Sequence, residues 1–168
     1  YTFLCKIKNV FNWLFGLSQT KDFVVLASSS KMLQYIDIKY RQQTGEQTEV
    51  TFVTKEQCEK LKQIHNVSDE HPANWKYNRD YEAIGRSRKQ LFTTDKRCLK
   101  LSTIKSFKGW ESPVVIVILD DDYNPKAASY TPMEPATMYT AITRARESLY
   151  IINIGNDTFD EFFTQQAI

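Results

Sequence analysis

The feature that most constrains the fold of this chain is the apolar run "SPVVIVIL" at Ser112–Leu119. Its apolar residues follow one another without the alternation expected of a strand with one face in water. Such a run is typical of a parallel strand that is buried on both faces, because helices then cover both sides of the sheet. The rest of the sequence must therefore supply further strands and the helices that connect them.

The first half of the chain supplies such an alternation. "DFVVLASSS" predicts a strand at Phe23–Ala27, and "KMLQYIDIKYRQQTG" predicts a helix that ends at Gly45. "TEVTFVT" predicts a second strand, and Thr54 and Gln57 then have the spacing of a capping box at a helix start. The order strand, helix, strand, helix predicts an α/β fold with a mainly parallel central sheet.

The second half continues the pattern. Residues 77–92 predict a helix despite Gly85, and "CLKLSTI" predicts a third strand before the apolar fourth. "ATMYTAITRARE" predicts a helix, "SLYIINIG" a fifth strand and "DTFDEFFTQQ" a last helix. We expect residues 1–20 to form an N-terminal helix or linker and residues 21–168 to form one domain.

Composition excludes several classes of protein. The hydrophobic content of 42% and the charged content of 25% are those of a soluble globular protein, and no apolar run approaches the length of about 18 residues that a membrane span needs. The net charge of +2 is too small to indicate nucleic-acid binding by itself. Cys5, Cys58 and Cys98 are widely spaced and odd in number, which predicts a reduced, cytoplasmic protein without a metal site.

The acids Asp120–Asp122 follow the fourth strand, where many ATPases hold magnesium. A magnesium acid of this kind works together with a phosphate loop, G-x-x-x-x-G-K-[ST], earlier in the chain. No glycine of this chain stands in that pattern; the five are Gly16, Gly45, Gly85, Gly109 and Gly155. A solvated turn is therefore the favoured interpretation of the three acids.

Two segments resemble helicase motifs. "TIKSFKGWESPVVIVIL" (Thr103–Leu119) resembles motif V of superfamily 1 helicases of the UvrD/Rep type, and "MYTAITRARESLYII" (Met138–Ile152) resembles motif VI. They occur in the order that the family has. The resemblance implies a RecA-like three-layer domain, with a P-loop NTPase-like fold that lacks the P-loop. It further implies the C-terminal, second RecA-like domain of an ATP-dependent DNA helicase or translocase.

The resemblance also implies which residues contact nucleotide. Arg144, in "ITRAR", corresponds to the arginine finger that stabilises the transition state, and Glu111, in "KGWE", to the glutamate that contacts the ribose. Gly109 would permit a close backbone approach, and Lys108 would orient the loop or reach a nearby acid. An alternative for Glu111 is an acid at a helix start. If Arg146 is helical, it lies about 200° around the helix from Arg144 and faces elsewhere.

By the same resemblance, Thr103, Lys105 and Ser106 contact the backbone of single-stranded nucleic acid. Lys105 stands where the family usually has histidine, and its ammonium still offers a donor to phosphate. Trp110 replaces the usual leucine, and we expect its indole to pack on the domain rather than to stack on a base. A basic cluster before motif V is a second candidate for this surface: Arg86, Arg88, Lys89, Lys96, Arg97 and Lys100.

The resemblance sets expectations for cofactors and partners. ATP and Mg²⁺ would bind the full-length protein, with Mg²⁺ held by an N-terminal RecA-like domain of the same protein, and this chain alone would be inactive. The expected partner is single-stranded nucleic acid, with DNA favoured. Two alternatives remain open: an RNA helicase domain of the same superfamily, and a degenerate helicase-like interaction or regulatory module. No asparagine-tyrosine-arginine tract of motif IV precedes the first strand.

Overall fold

A computed structural model describes residues 23–68, 74–119 and 133–154, together with the single positions 156, 159 and 163. Five strands form one sheet in the order β2-β3-β1-β4-β5, and every pairing between them is parallel. The strands are β1 (Phe23–Ala27), β2 (Thr48–Val50), β3 (Leu99–Thr103), β4 (Ser112–Leu119) and β5 (Ala145–Asn153).

Helices connect these strands. They are α1 (Ser30–Thr44), α2 (Lys55–His65), α3 (Trp75–Leu91) and α4 (Pro135–Ile142), and a short 3₁₀ turn spans Lys105–Phe107. One hydrophobic cluster joins α1 to one face of the sheet, and another joins α4 and the 3₁₀ turn to the opposite face. The predicted α/β fold is confirmed: helices cover both faces of a parallel sheet, as in a RecA-like, P-loop NTPase-like domain.

The core follows from the pleat of the strands. Val24 and Leu26 of β1 point to the cluster with α4, whereas Val25 and Ala27 point to the cluster with α1. All four are fully buried, as are residues 115–119 of β4, which lies between β1 and β5. The unalternating apolar run was therefore interpreted correctly as a buried internal strand.

Local signals set several boundaries. Gly45 ends α1 with a φ of 72°, and its N–H donates to the carbonyl of Arg41 at 3.0 Å. A positive φ carries little cost for glycine, so the predicted helix end is confirmed. The capping box at the start of α2 is also confirmed, because the Gln57 N–H donates to the Thr54 hydroxyl and the Thr54 N–H donates to the Gln57 side chain.

One predicted boundary is wrong. We expected a helix through Glu147, but α4 ends at Ile142 and β5 begins at Ala145. The Ser112 N–H donates to the Arg144 carbonyl at 3.0 Å, so pairing with β4 captures this segment earlier than its helical propensity suggests. The second strand is also shorter than predicted and ends at Val50.

Several predictions fall outside the described residues: the N-terminal segment 1–20, the acids Asp120–Asp122 and most of the last helix. Across the ranges that the structure describes, no helix is both long and apolar enough to cross a membrane. In the same ranges, no group of three or more His, Cys, Asp or Glu residues is arranged to hold a metal ion.

Candidate nucleotide and nucleic-acid site

The parallel sheet separates the predicted site residues into two groups at opposite edges. Glu111 and Arg144 come directly before β4 and β5, so they lie at the edge where strands begin; we call this the amino edge. Thr103 ends β3 and lies at the opposite, carboxyl edge. Along the strand direction, Thr103 is level with Ile118 of β4, because both pair with Ala27 of β1. Ile118 lies six residues after Ser112, where β4 begins. At about 3.3 Å per residue, the two edges are roughly 20 Å apart.

Arg144 is held against its own domain at the amino edge. Its Nε donates to the carbonyl of Thr140 at 3.1 Å, and its Nη2 donates to the Thr143 hydroxyl at 3.0 Å. Its Nη1 makes a longer contact of 3.4 Å with the carbonyl of Trp110. The first two contacts satisfy groups at the C-terminal end of α4, where a cation is favourable. The third joins motif VI to the motif V loop.

Among the residues that the structure describes, these contacts leave two N–H donors of Arg144 without a partner. A guanidinium carries five N–H groups, and the three contacts use three of them. The side chain is partly exposed, so part of the guanidinium side chain remains open to solvent. The arrangement suits a preorganised cation that keeps its position before a ligand arrives.

The motif V loop carries the other predicted nucleotide-contacting residues. Lys108, Gly109 and Glu111 are all exposed, and the loop turns at Gly109, where φ is 93°. A Cβ at Gly109 would meet no atom of the described residues within 4 Å, and the positive φ is the reason that this position favours glycine. Glu111 directly precedes a strand, so the alternative of an acid at a helix start is wrong.

A small cavity of about 260 Å³ lies beside Glu111. Two arginines (Arg97 and Arg146) and two acids (Asp95 and Glu111) line it. The remaining lining residues are Thr94, Ser112 and Pro113. The helical argument that separated Arg146 from the site is wrong, because Arg146 belongs to β5. Reasoning from sequence missed its position for that reason. If "ARESLYII" had been assigned to a strand, Arg146 would have been placed near the start of β4.

The predicted backbone-contact residues meet at the carboxyl edge. The Thr103 hydroxyl donates to Ser106 Oγ at 2.9 Å and accepts from the Ser106 N–H at 3.3 Å, which stabilises the 3₁₀ turn. Lys105 is exposed on this turn and makes no ion pair within the described part of the chain. The turn therefore presents a lysine ammonium and two partly exposed hydroxyls to solvent.

One residue of the basic cluster predicted before motif V is buried rather than on the surface. Lys100 is 1% exposed on β3, and its Nζ donates to the carbonyl of Cys98 at 3.2 Å, so the expectation that it faces nucleic acid is wrong. Because side chains alternate along a strand, the Lys100 side chain lies on one face of the sheet, where it is buried. Lys96 pairs with Glu49 at 2.7 Å, and Arg97 lies at the cavity beside Glu111.

Trp110 packs on the domain as expected. Its ring lies edge-to-face on Phe92, with ring centroids 5.9 Å apart. The indole remains 38% exposed, so it forms part of the wall between the loop and α3.

Comparison with known families decides what this domain is. The model of the viral superfamily 1 RNA helicase core domain matches residues 18–153, a range that contains both motif V and motif VI. The chain belongs to this family of superfamily 1 helicases. The match covers all five strands, so the fold and the motifs support one assignment.

A curated relative agrees with this assignment. This helicase domain is 38% identical over 71 residues to the mitochondrial ATP-dependent DNA helicase HMI1 of Saccharomyces cerevisiae. The matched segment is 42% of this chain but only 9% of the relative's length. No solved structure matches the helicase domain.

Proposed function

We propose that this chain is the second, C-terminal RecA-like domain of a superfamily 1 motor of the UvrD/Rep type. In this role it closes over ATP with its amino edge and contacts single-stranded nucleic acid with its carboxyl edge. The observation that carries the proposal is the hydrogen bond from Arg144 to the carbonyl of Trp110, next to Glu111. It joins motifs V and VI at the amino edge, and the level of Thr103 at the carboxyl edge is roughly 20 Å away along the strands.

The chemistry of the amino edge suits a nucleotide. The two spare N–H groups of Arg144 would donate to phosphate oxygens, because the planar fork of a guanidinium matches their geometry. Positive charge at this position stabilises the charge that develops during phosphoryl transfer. The Glu111 carboxylate would accept from sugar hydroxyls. Mg²⁺, held by the first motor domain, would neutralise charge on the β- and γ-phosphates.

DNA is the first candidate for the nucleic acid, because the curated relative is a DNA helicase. RNA is the second candidate, because the matching family is that of viral superfamily 1 RNA helicases. Unwinding assays of the complete protein with matched DNA and RNA duplexes distinguish them. Proteins that discriminate RNA do so through contacts with the 2′-hydroxyl.

The proposed role of Arg144 is tested in the complete helicase that contains this domain. Arg144→Ala should lower kcat for ATP hydrolysis by about 10³- to 10⁵-fold, because a finger acts on the transition state. The dissociation constant for ATP should change much less, since the first domain supplies most of the ground-state contacts. Arg144→Lys keeps the charge but loses the planar fork, so we expect little rescue.

Two controls keep this test specific. Arg79→Ala removes an exposed arginine of α3 that lies outside both motifs and outside the basic cluster, and it should leave kcat near the wild-type value. Arg144→Ala also removes contacts at the end of α4, so thermal unfolding must show that the variant is folded at the assay temperature. A folded Arg144→Ala variant with near-normal kcat contradicts the finger and favours a degenerate, non-motor module.

A further inference from the structure

A groove separate from the two edges lies between α1, α2 and α3. Its volume is about 590 Å³, within the range of roughly 300–1,000 Å³ that is usual for ligand sites. Lysines, tyrosines and small polar residues line it: Ser30, Lys31, Gln34, Tyr35, Ile38, Lys55, Cys58, Glu59, Lys62, Tyr77, Asn78 and Tyr81. None of these residues belongs to motif V or motif VI.

Each helix contributes one stripe to the groove. On α2, the residues Lys55, Cys58, Glu59 and Lys62 have the spacing i, i+3, i+4 and i+7, which places them on one helical face. On α3, Tyr77 and Tyr81 are four residues apart and share a face. The sequence therefore encodes a continuous lining, although the three stripes meet only in the folded domain.

The lining is positively charged. It contains three lysines against a single acid, Glu59, which pairs with Lys62 at 3.3 Å. Lys31 and Lys55 are exposed and make no ion pair within the residues that the structure describes. Two ammonium groups therefore remain available to an anionic ligand.

The lining is also aromatic. The rings of Tyr77 and Tyr81 are stacked, with centroids 6.1 Å apart and planes 24° apart, and Tyr35 across the groove is 36% exposed. Burial raises the pKa of Tyr77 and of Tyr81, so both rings stay neutral near pH 7. Neutral aromatic rings beside lysines form the combination that binds bases and phosphates of single strands.

The groove opens at the carboxyl edge of the sheet. Ser30 begins α1 directly after β1, whose last residue, Ala27, is level with Thr103. On the other side, Thr51 follows β2 and shares a 2.8 Å hydrogen bond with Ser102, and Lys55 begins α2 soon after. The mouth of the groove thus lies at the same edge of the sheet as Thr103, which hydrogen bonds to the turn that carries Lys105.

We propose that this groove binds bases of the same single strand whose backbone lies on Lys105, with Tyr35, Tyr77 and Tyr81 as stacking surfaces. Lys31 and Lys55 contact the flanking phosphates. The inference rests on the proposed nucleic-acid function and extends it, because it assigns base contacts to a surface outside the helicase motifs.

Binding of labelled oligothymidylate and oligouridylate to the 168-residue chain tests the groove, with fluorescence anisotropy as the measurement. Tyr35→Ala should weaken binding by about 5- to 100-fold, which is the usual loss for one stacked base. Lys55→Gln should reduce the slope of log affinity against log salt by about 0.7, the value for one lost single-strand phosphate contact. Trp75→Ala, at an exposed aromatic residue of α3 outside the lining, and Lys60→Gln, at an α2 lysine outside the lining, are the controls.

Lys105→Glu separates this inference from the proposed function. If Lys105→Glu weakens binding but the groove variants do not, the groove inference is overturned and the carboxyl-edge contact stands. If only the groove variants weaken binding, the groove stands and the role of Lys105 is wrong. Absence of binding at low salt overturns both.

Photocrosslinking supplies a readout that does not depend on affinity. An oligonucleotide with iodouracil should crosslink to tyrosines of α1 or α3, identified by mass spectrometry of peptides. Crosslinks confined to the turn around Lys105, or to tyrosines outside the groove lining, overturn the groove.

Discussion

Asp37 shows how a single charged residue can be part of the core. It is fully buried in α1, where its two carboxylate oxygens accept from Arg41 Nε at 3.0 Å and Nη2 at 2.8 Å. The Thr48 hydroxyl at the start of β2 also donates to it. Burial of a carboxylate is tolerated only when such partners replace water. Asp37 therefore links α1 to β2, which is an outermost strand of the sheet.

Asp37→Asn should lower the free energy of unfolding by about 2–3 kcal/mol, because hydrogen bonds to a buried charge are lost and an amide donor then faces a guanidinium donor. Urea unfolding measures this change. Glu82→Gln, which alters an exposed acid paired with Arg86 on α3, should change stability by less than about 0.5 kcal/mol. Equal stability of the two variants would mean that Asp37 contributes no net stabilisation.

Two glycines show that the effect of a substitution depends on the element that contains the residue. Gly85 lies inside α3, where glycine is unfavourable, and among the described residues a Cβ there would meet only Val53 Cγ2, at an ordinary distance of 3.8 Å. Gly109 lies in the motif V loop with a φ of 93°, a conformation that other residues rarely adopt. The same substitution should therefore have opposite effects at the two positions.

Gly85→Ala should raise the free energy of unfolding by about 0.5–1 kcal/mol, because alanine has the higher helix propensity and restricts the unfolded chain. Gly109→Ala should lower it by about 1–2 kcal/mol, because the Cβ is strained at positive φ. Parallel urea titrations of the two variants test the pair. Destabilisation by Gly85→Ala would indicate that α3 packs more tightly at this position than the structure shows.

The proposed contacts lie at two opposite edges of the domain because its sheet is parallel. All strand beginnings meet at one edge and all strand ends at the other, so Arg144 and Glu111 lie on the opposite side of the sheet from Thr103, where motif V begins. A single short segment, Thr103–Glu111, thereby spans the distance between the proposed nucleotide and nucleic-acid contacts. This path is a physical route along which the two events can be coupled.

At this scale we predict that the 168-residue chain alone has no ATPase activity. The chain contains no phosphate-loop pattern, so it lacks the groups that grip the β- and γ-phosphates. Phosphate release should stay at background with or without single-stranded nucleic acid. Turnover that disappears in Arg144→Ala would contradict this prediction and would reveal a phosphate site elsewhere in the chain.

The sequence by itself determined the strands, most helices and the helicase motifs, because hydrophobic period, caps and motif spacing are local properties. Only the tertiary structure decided where α4 gives way to β5, since pairing with β4 overrides helix propensity at Arg146. It also decided that Lys100 is buried and that three helical stripes form a groove. These outcomes depend on strand order and on contacts between residues far apart in sequence, which no local pattern encodes.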